Sequence, residues 1–305
     1  MNTMRKFGLG EFLNNRVWCP PFRVSCHQNT LKRGHQTAAR GRPGFTLVEL
    51  LVVMATVAVL AAVLLPALAG TKPNGQAFQC LNNTRRLTLC WTMYASDNSD
   101  KLMDPTSWVS GNMDWGSGQN NTNAALMLNQ AALIAPYVKS AALFKCPSDN
   151  YQSAQNPGPR IRSVSLDGAL GINPSFGSNY KGRSYFSARK MSDLNTPGPA
   201  NIYVILDEHP DSINDGAFML DAGHWSSTTE HWRDFPGSFH DNAVSISFAD
   251  GHSEIHKWLT WSTIQGVEYR SFSTGGGNST TPINQGANVG KSLDYEWLED
   301  RMPYR

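Results

Sequence analysis

Three groups of side chains in this 305-residue chain are of types that could do chemistry. The first is the run from Asp207 to Gly216, where Asp207, Glu208, Asp211 and Asp215 crowd oxygen donors of the kind Ca2+ takes into one loop. Its register does not fit an EF-hand, since Ile213 falls where a ligand is required. A solvated turn closed by Asx hydrogen bonds accounts for the same residues. The second group is His240, Asp250, His252 and His256, which together have the donors of a transition-metal site. Histidines at alternate strand positions also serve as plain exposed polar residues, and His240 could anchor its strand by a hydrogen bond to Asp250. No nucleophile with a base and an orienting group can be assembled from these residues, so no hydrolytic centre is expected. The third group is the cysteines: Cys80, Cys90 and Cys146, with Cys19 and Cys26 far upstream.

The elements that must position these groups follow from hydrophobic pattern. Residues 201–206 form a continuous β-prone run that delivers the acidic loop, and Ala217–Leu220 reads as a short strand beyond it. Val244, Ile246 and Phe248 alternate with serines up to Asp250-Gly251, read as a two-residue hairpin turn. That turn would set Phe248 opposite Ser253, Ile246 opposite Ile255 and Ser245 opposite His256. Ser245, Ser247, His252, Glu254 and His256 would then share the polar face. Cys80 belongs to a helical pattern over 76–96, whose face carries Cys80, Thr84, Leu87, Trp91 and Tyr94. Cys80 and Cys90 sit about 15 Å apart along such a helix and cannot bridge. Between 97 and 200 the pattern is weakest, with one or two short helices over 124–139 broken by Pro136. A Gly/Ser/Thr-rich stretch at 271–284 reads as a flexible loop, and Leu293–Leu298 as a packed aromatic tail. The nine tryptophans could furnish a glycan-binding face, although core packing is their commoner use.

Ahead of all this lies an apolar run, Phe45 to Leu65, whose one ionisable side chain is Glu49. As a helix it spans roughly 30 Å, the thickness of a bilayer core. Residues 1–44 carry eight basic side chains against the single acid Glu11, which places that end in the cytoplasm and the remainder across the membrane. Pro66 should kink the helix, with Gly70, Pro73 and Gly75 extending the break. Beyond residue 44 there are 18 basic and 23 acidic residues, so no nucleic-acid surface is indicated. Cys80, Cys90 and Cys146 would lie where disulfides persist, and their odd number leaves at least one unpaired within the chain. A carboxylate inside an apolar helix costs about 2.5 to 3.5 kcal/mol, so Glu49 needs either a partner or access to interfacial water.

Gly44-Phe45-Thr46-Leu47-Val48-Glu49 resembles the class III signal of type IV pilins and type II secretion pseudopilins. The resemblance implies that a prepilin peptidase cuts between Gly44 and Phe45 and methylates Phe45. It also implies that Glu49 neutralises the terminal amine of a neighbouring subunit during assembly. Cys80 on its helix, the later Lys145-Cys146-Pro147-Ser148-Asp149, and His240 nine residues before Asp250-Gly251 resemble a pseudopilin-like family of planctomycete and verrucomicrobial type, with a C-terminal H-X9-DG domain. On that resemblance Cys80 and Cys146 form a disulfide with Cys90 as a small apolar residue; three free thiols are the alternative.

The expected fold is therefore α+β and pilin-like, a long N-terminal hydrophobic helix packed on a small antiparallel sheet. Its parts are a cleaved leader at 1–44, a transmembrane and polymerisation helix at 45–69, an amphipathic continuation at 70–96, and a periplasmic domain at 97–305 with the H-X9-DG hairpin at 240–258. The expected role is structural, as a non-enzymatic subunit of a type II secretion pseudopilus or type IV pilus-like fibre in the inner membrane. Its partners would be the peptidase, other pseudopilins and an inner-membrane assembly platform, with no cofactor required beyond a Ca2+ option. A membrane-anchored metal- or glycan-binding module exported by the same route is the rival reading, and an anchored hydrolase acting through His240 and Asp250 a third.

Overall fold

The computed structural model of the chain describes residues 44–69, 71–172, 177–180, 182–220, 232–269 and 292–305, without the side chains of 63–74, 177, 178 and 180. The expected leader up to residue 43 and the loop at 271–284 fall outside the described residues. The chain divides at Thr56 into two compact units. Helix α1, Leu47–Ala69, starts two residues after the expected cut and runs through Pro66. Its described side chains are bare all round, with Leu47 74 % and Val53 49 % exposed. A helix apolar on every face must find lipid or other helices to cover it. Among the described residues no helix is long and apolar enough to cross a membrane. With side chains 63–74 outside the description, the full run to Leu65 is read from sequence.

Helix α2, Thr71–Asp97, begins earlier than the pattern suggested. Pro73 and Gly75 lie inside it rather than in a break. Proline is tolerated in a first turn because its missing N–H would have had no helical acceptor there. Cys80, Thr84, Leu87, Thr88, Trp91 and Ala95 form its buried face, and Arg85 and Arg86 are exposed.

That face lies on a five-stranded sheet of order β5-β1-β4-β6-β7. The strands are β1 Val164–Asp167, β4 Tyr203–Asp207, β5 Ala217–Phe218, β6 Ala243–Phe248 and β7 Ser253–Lys257. A separate hairpin pairs β2 Gly177–Tyr180 with β3 Arg183–Phe186. All pairings of the large sheet are antiparallel except β1 with β5, so the sheet is mixed, not purely antiparallel. Both faces are covered. Leu87, Trp91 and Ala95 of α2 pack with Val164, Leu166, Val204 and Ile205 on one side. On the other, Tyr203, Leu206, Val244, Ile246 and Phe248 pack with Trp258 and with Tyr295 and Leu298 of α3, Leu293–Glu299.

Two irregularities decide where side chains point. Gly251, at φ 91°, takes the left-handed position of the β6–β7 turn, and its N–H bonds to the Phe248 carbonyl at 2.9 Å. This adds one residue relative to a two-residue turn and slides the register by one: Ser247 faces Ser253, Ile246 faces Glu254, Ser245 faces Ile255 and Val244 faces His256. The serine face is not wet. Ser245 and Ser247 are buried under α2, hydroxyl to hydroxyl with Thr84 at 3.0 Å and Thr88 at 2.6 Å. Strand β4 has a bulge between Tyr203 and Ile205, which puts Val204 and Ile205 on the same side. Alternation restarts after it, so Leu206 faces the aromatic core and Asp207 faces α2.

Over 124–139 the short helices are single turns, Ala124–Leu128 and Ala135–Tyr137, the second containing Pro136.

Candidate functional site

At the start of α1, Thr46 and Glu49 satisfy each other. The Thr46 N–H and hydroxyl each donate to Glu49 Oε2 at 2.8 Å, and the Glu49 N–H donates to Thr46 Oγ1 at 3.2 Å. This reciprocal capping box uses N–H groups that have no helical acceptor at a helix start. The Thr-x-x-Glu spacing ahead of an apolar run announces it, a signal the pilin resemblance overshadowed.

The second constellation is buried under α2. Cys80 comes from the buried face of α2. Cys146 comes from the segment after the turn Ala141–Phe144, and Asp207 from the end of β4, aimed by the bulge. His240 stands in the turn before β6, where Asp241 and Asn242 both take left-handed backbone, which these short polar residues tolerate. One donor atom from each of the four lies within 4.8 Å of all the others. Cys80 Sγ donates to Asp207 Oδ1 at 3.1 Å and lies 3.4 Å from Oδ2. His240 Nε2 sits 3.4 Å from Cys146 Sγ and 3.5 Å from Asp207 Oδ2. Cys80, Cys146 and Asp207 are 1 % exposed or less, and the His240 side chain 3 %.

Further groups hold these four in place. The Ser245 N–H donates to Asp207 Oδ2 at 3.0 Å, and Ser148 Oγ lies 3.4 Å from His240 Nδ1. The segment carrying Cys146 is fixed by the Lys145–Asp149 ion pair at 2.9 Å and by Ser163 donating to Asp149 at 2.6 Å. Burial pushes the Cys80 thiol well above its ordinary pKa. Burial also opposes ionisation of Cys146, but hydrogen bonds from Cys80 and then His240 outweigh it and bring that thiol down. For His240 desolvation disfavours the cation, yet the hydrogen bonds to Asp207 and Cys146 prevail and raise its pKa to about 10.

The geometry is not that of a nucleophile relay. A Cys-His-Asp triad needs the sulfur at one ring nitrogen and the carboxylate at the other. Here both meet Nε2, and no substrate reaches a group this deeply covered.

Of the residues singled out from sequence, the structure joins Asp207 and His240 and adds the two cysteines to them. Cys80 and Cys146 do approach each other, as free thiols; Cys90 stands apart, its sulfur 3.3 Å from the Tyr137 carbonyl. The acidic loop does not converge on a point. Glu208 accepts from Ser165 and Ser212, and its burial raises its pKa to about 7. Asp211 accepts from Trp115 Nε1 at 2.8 Å and from the Glu268 N–H at 2.7 Å. Asp215 caps Ala217 at 2.8 Å. His240 and Asp250 bracket β6 at its two ends, about 20 Å apart for six residues, so they share no hydrogen bond. Asp250 instead holds His252, at 3.0 Å to its N–H and 2.6 Å to Nδ1. His256 stacks on Trp297 with ring centres 3.6 Å apart. Trp91, Trp108, Trp115, Trp232 and Trp258 are core residues, which leaves Trp261 and Trp297 the tryptophans nearest the surface among those described. In the sequence the cysteines, Asp207 and His240 belong to three separate groups. Nothing in their spacing announces that they meet.

Compared with known proteins, residues 40–65 match the prokaryotic N-terminal methylation motif. The match supports a pilin- or pseudopilin-like protein that leaves the cytoplasm by the pilin route, and it implies processing by a prepilin peptidase. No curated protein matches the chain, and no solved structure does.

Proposed function

We propose that the chain is a structural subunit of a type II secretion pseudopilus or a type IV pilus-like fibre. The reading is carried by one observation, the Gly44-Phe45-Thr46-Leu47-Val48-Glu49 signal placed directly before a bare apolar helix and matched to the methylation motif. The peptidase removes residues 1–44 on the cytoplasmic side and methylates Phe45. The helix stays in the inner membrane, with the domain from α2 onward in the periplasm. On polymerisation α1 exchanges lipid for the helices of neighbouring pseudopilins on the assembly platform. Glu49 then compensates the Phe45 amine of an adjoining subunit, and the chain makes and breaks no bond itself. The H-X9-DG type of domain suits this reading: His240 and Asp250-Gly251 delimit β6, the strand on which α2 lies.

The test is the intact mass of protein extracted from membranes. It is expected to begin at an N-methylated Phe45; a chain beginning at Met1, or cut after Ala69, refutes the proposal. A membrane-anchored binding module would give the same mass yet stay monomeric, so recovery of the chain in sheared fibres separates the two.

A further inference from the structure

The geometry points to a zinc site formed by Cys80, Cys146, Asp207 and His240, a closed four-ligand clamp that pins α2 and the 145–149 segment to the sheet. Tetrahedral zinc, with bonds of about 2.3 Å to sulfur and about 2.0 to 2.2 Å to nitrogen and oxygen, requires ligand-to-ligand edges of roughly 3.3 to 3.8 Å. The edges present are 3.1 and 3.4 Å from Cys80 to the Asp207 oxygens, 3.4 Å from Cys146 to His240, and 3.5 Å from His240 to Asp207. The remaining pairs of donor atoms lie within 4.8 Å of one another, so small side-chain adjustments would close all six edges round one ion.

Three features choose zinc over other occupants. Two sulfurs and one nitrogen among four donors exclude calcium and magnesium, which demand six or more oxygens or octahedral oxygen geometry. The ring nitrogen turned inward is Nε2, while Nδ1 faces the Ser148 hydroxyl, the arrangement that fixes the tautomer of a metal-bound imidazole. Asp207 likewise is held from behind by the Ser245 N–H. A disulfide between Cys80 and Cys146 would employ the sulfurs alone and strand a buried imidazole and carboxylate against them. A metal employs all four. Binding is not redox: Zn2+ displaces one proton from each thiol and whatever proton His240 carries, and no electron moves.

The site is independent of the pilin reading, since it holds in whatever compartment the domain occupies. Its test uses the full chain purified in detergent without chelator. About one zinc per chain is expected by elemental analysis, falling at least tenfold in Cys146→Ser and Asp207→Asn and unchanged in Cys90→Ser. Where a variant does not fold, the wild type decides: stripped and reloaded with Co2+, it should show a thiolate-to-cobalt charge-transfer band and tetrahedral ligand-field absorption. Cys80 and Cys146 should resist alkylation until zinc is chelated. Zinc-free protein with no free thiol beyond Cys90 in its periplasmic part would establish a disulfide and overturn the proposal, as would a Co2+ spectrum lacking thiolate bands. Either result leaves processing at Phe45 untouched.

Discussion

Glu49 has two physical tasks, and one substitution separates them. In the single chain it closes the capping box with Thr46, accepting at 2.8 Å from both the N–H and the hydroxyl. A capping interaction of this kind contributes about 0.5 to 2 kcal/mol, which shifts the first turn but does not undo an apolar helix of 23 residues. In the proposed fibre it faces the Phe45 amine of a neighbour. An uncompensated charge in that apolar setting costs about 2.5 to 3.5 kcal/mol, enough to weaken each subunit contact roughly a hundredfold. Glutamine accepts from Thr46 as glutamate does and carries no charge. Glu49→Gln therefore keeps the cap and loses the pairing, while Glu49→Leu loses both. Both variants are expected to be processed normally, as read by intact mass, and to yield about a hundredfold less sheared fibre by quantitative immunoblot. Wild-type fibre yield from Glu49→Gln with loss in Glu49→Leu would show that capping is the whole task, and the electrostatic account of assembly would fail.

The fold and its titrating groups give further expectations. Gly171, at φ 99°, would place a Cβ 2.2 Å from the Met103 carbonyl oxygen, whereas at Gly251, φ 91°, the nearest atom is Leu89 Cδ2 at 4.0 Å. Gly251→Ala should therefore cost only the left-handed backbone strain, about 1 to 2 kcal/mol, and Gly171→Ala several times that. Urea midpoints of the two variants check this, and the reverse order would refute it. Asp167 is fully buried, and burial raises its pKa from 3.8 to about 8 despite the N–H of Ala169; the Tyr203 hydroxyl lies near it but outside hydrogen-bond geometry. Between about pH 4 and pH 8 the folded state thus keeps a proton that the unfolded state has released. Stability from this group is complete at low pH and falls as pH rises through that window, by up to roughly 1.4 kcal/mol per unit. Asp167→Asn should flatten the fall in denaturation measured from pH 5 to 8, leaving the parts due to Glu208, Asp234 and His240; an unchanged slope refutes the assignment.

What could be read from sequence was what repeats at short range. The buried face of α2 was legible because Cys80, Thr84, Leu87 and Trp91 recur at helical spacing, and β4 and β6 because β-prone runs end at turn residues. Strand β1 was not, since the alternation of Val164, Ser165, Leu166 and Asp167 lasts only four residues, too short to stand out within a turn-rich segment. The β6–β7 pairing was misjudged by one residue because Gly251 adds a left-handed position that composition alone does not distinguish from a tight turn. The burial of the polar serine face was not legible because hydroxyls suit water as well as they suit Thr84 and Thr88. Juxtaposition was beyond reach. Cys80, Cys146, Asp207 and His240 are drawn from four elements, and only the packing of α2 on the sheet makes them neighbours.

The bulge at Val204 has a consequence for how this interior tolerates change in length. Strand β4 holds one residue more than strict odd–even parity would allow between Tyr203 and Asp207, and the surplus is parked at the bulge. Losing that surplus would straighten the strand and leave Asp207 pointing as before, whereas a residue gained beyond the intact bulge, between Ile205 and Asp207, would rotate it toward the aromatic layer. Removal at the bulge is thus harmless, while a change of one residue in either direction between the bulge and Asp207 turns the carboxylate away, a distinction set by arithmetic along the backbone and not by the chemistry of any single side chain.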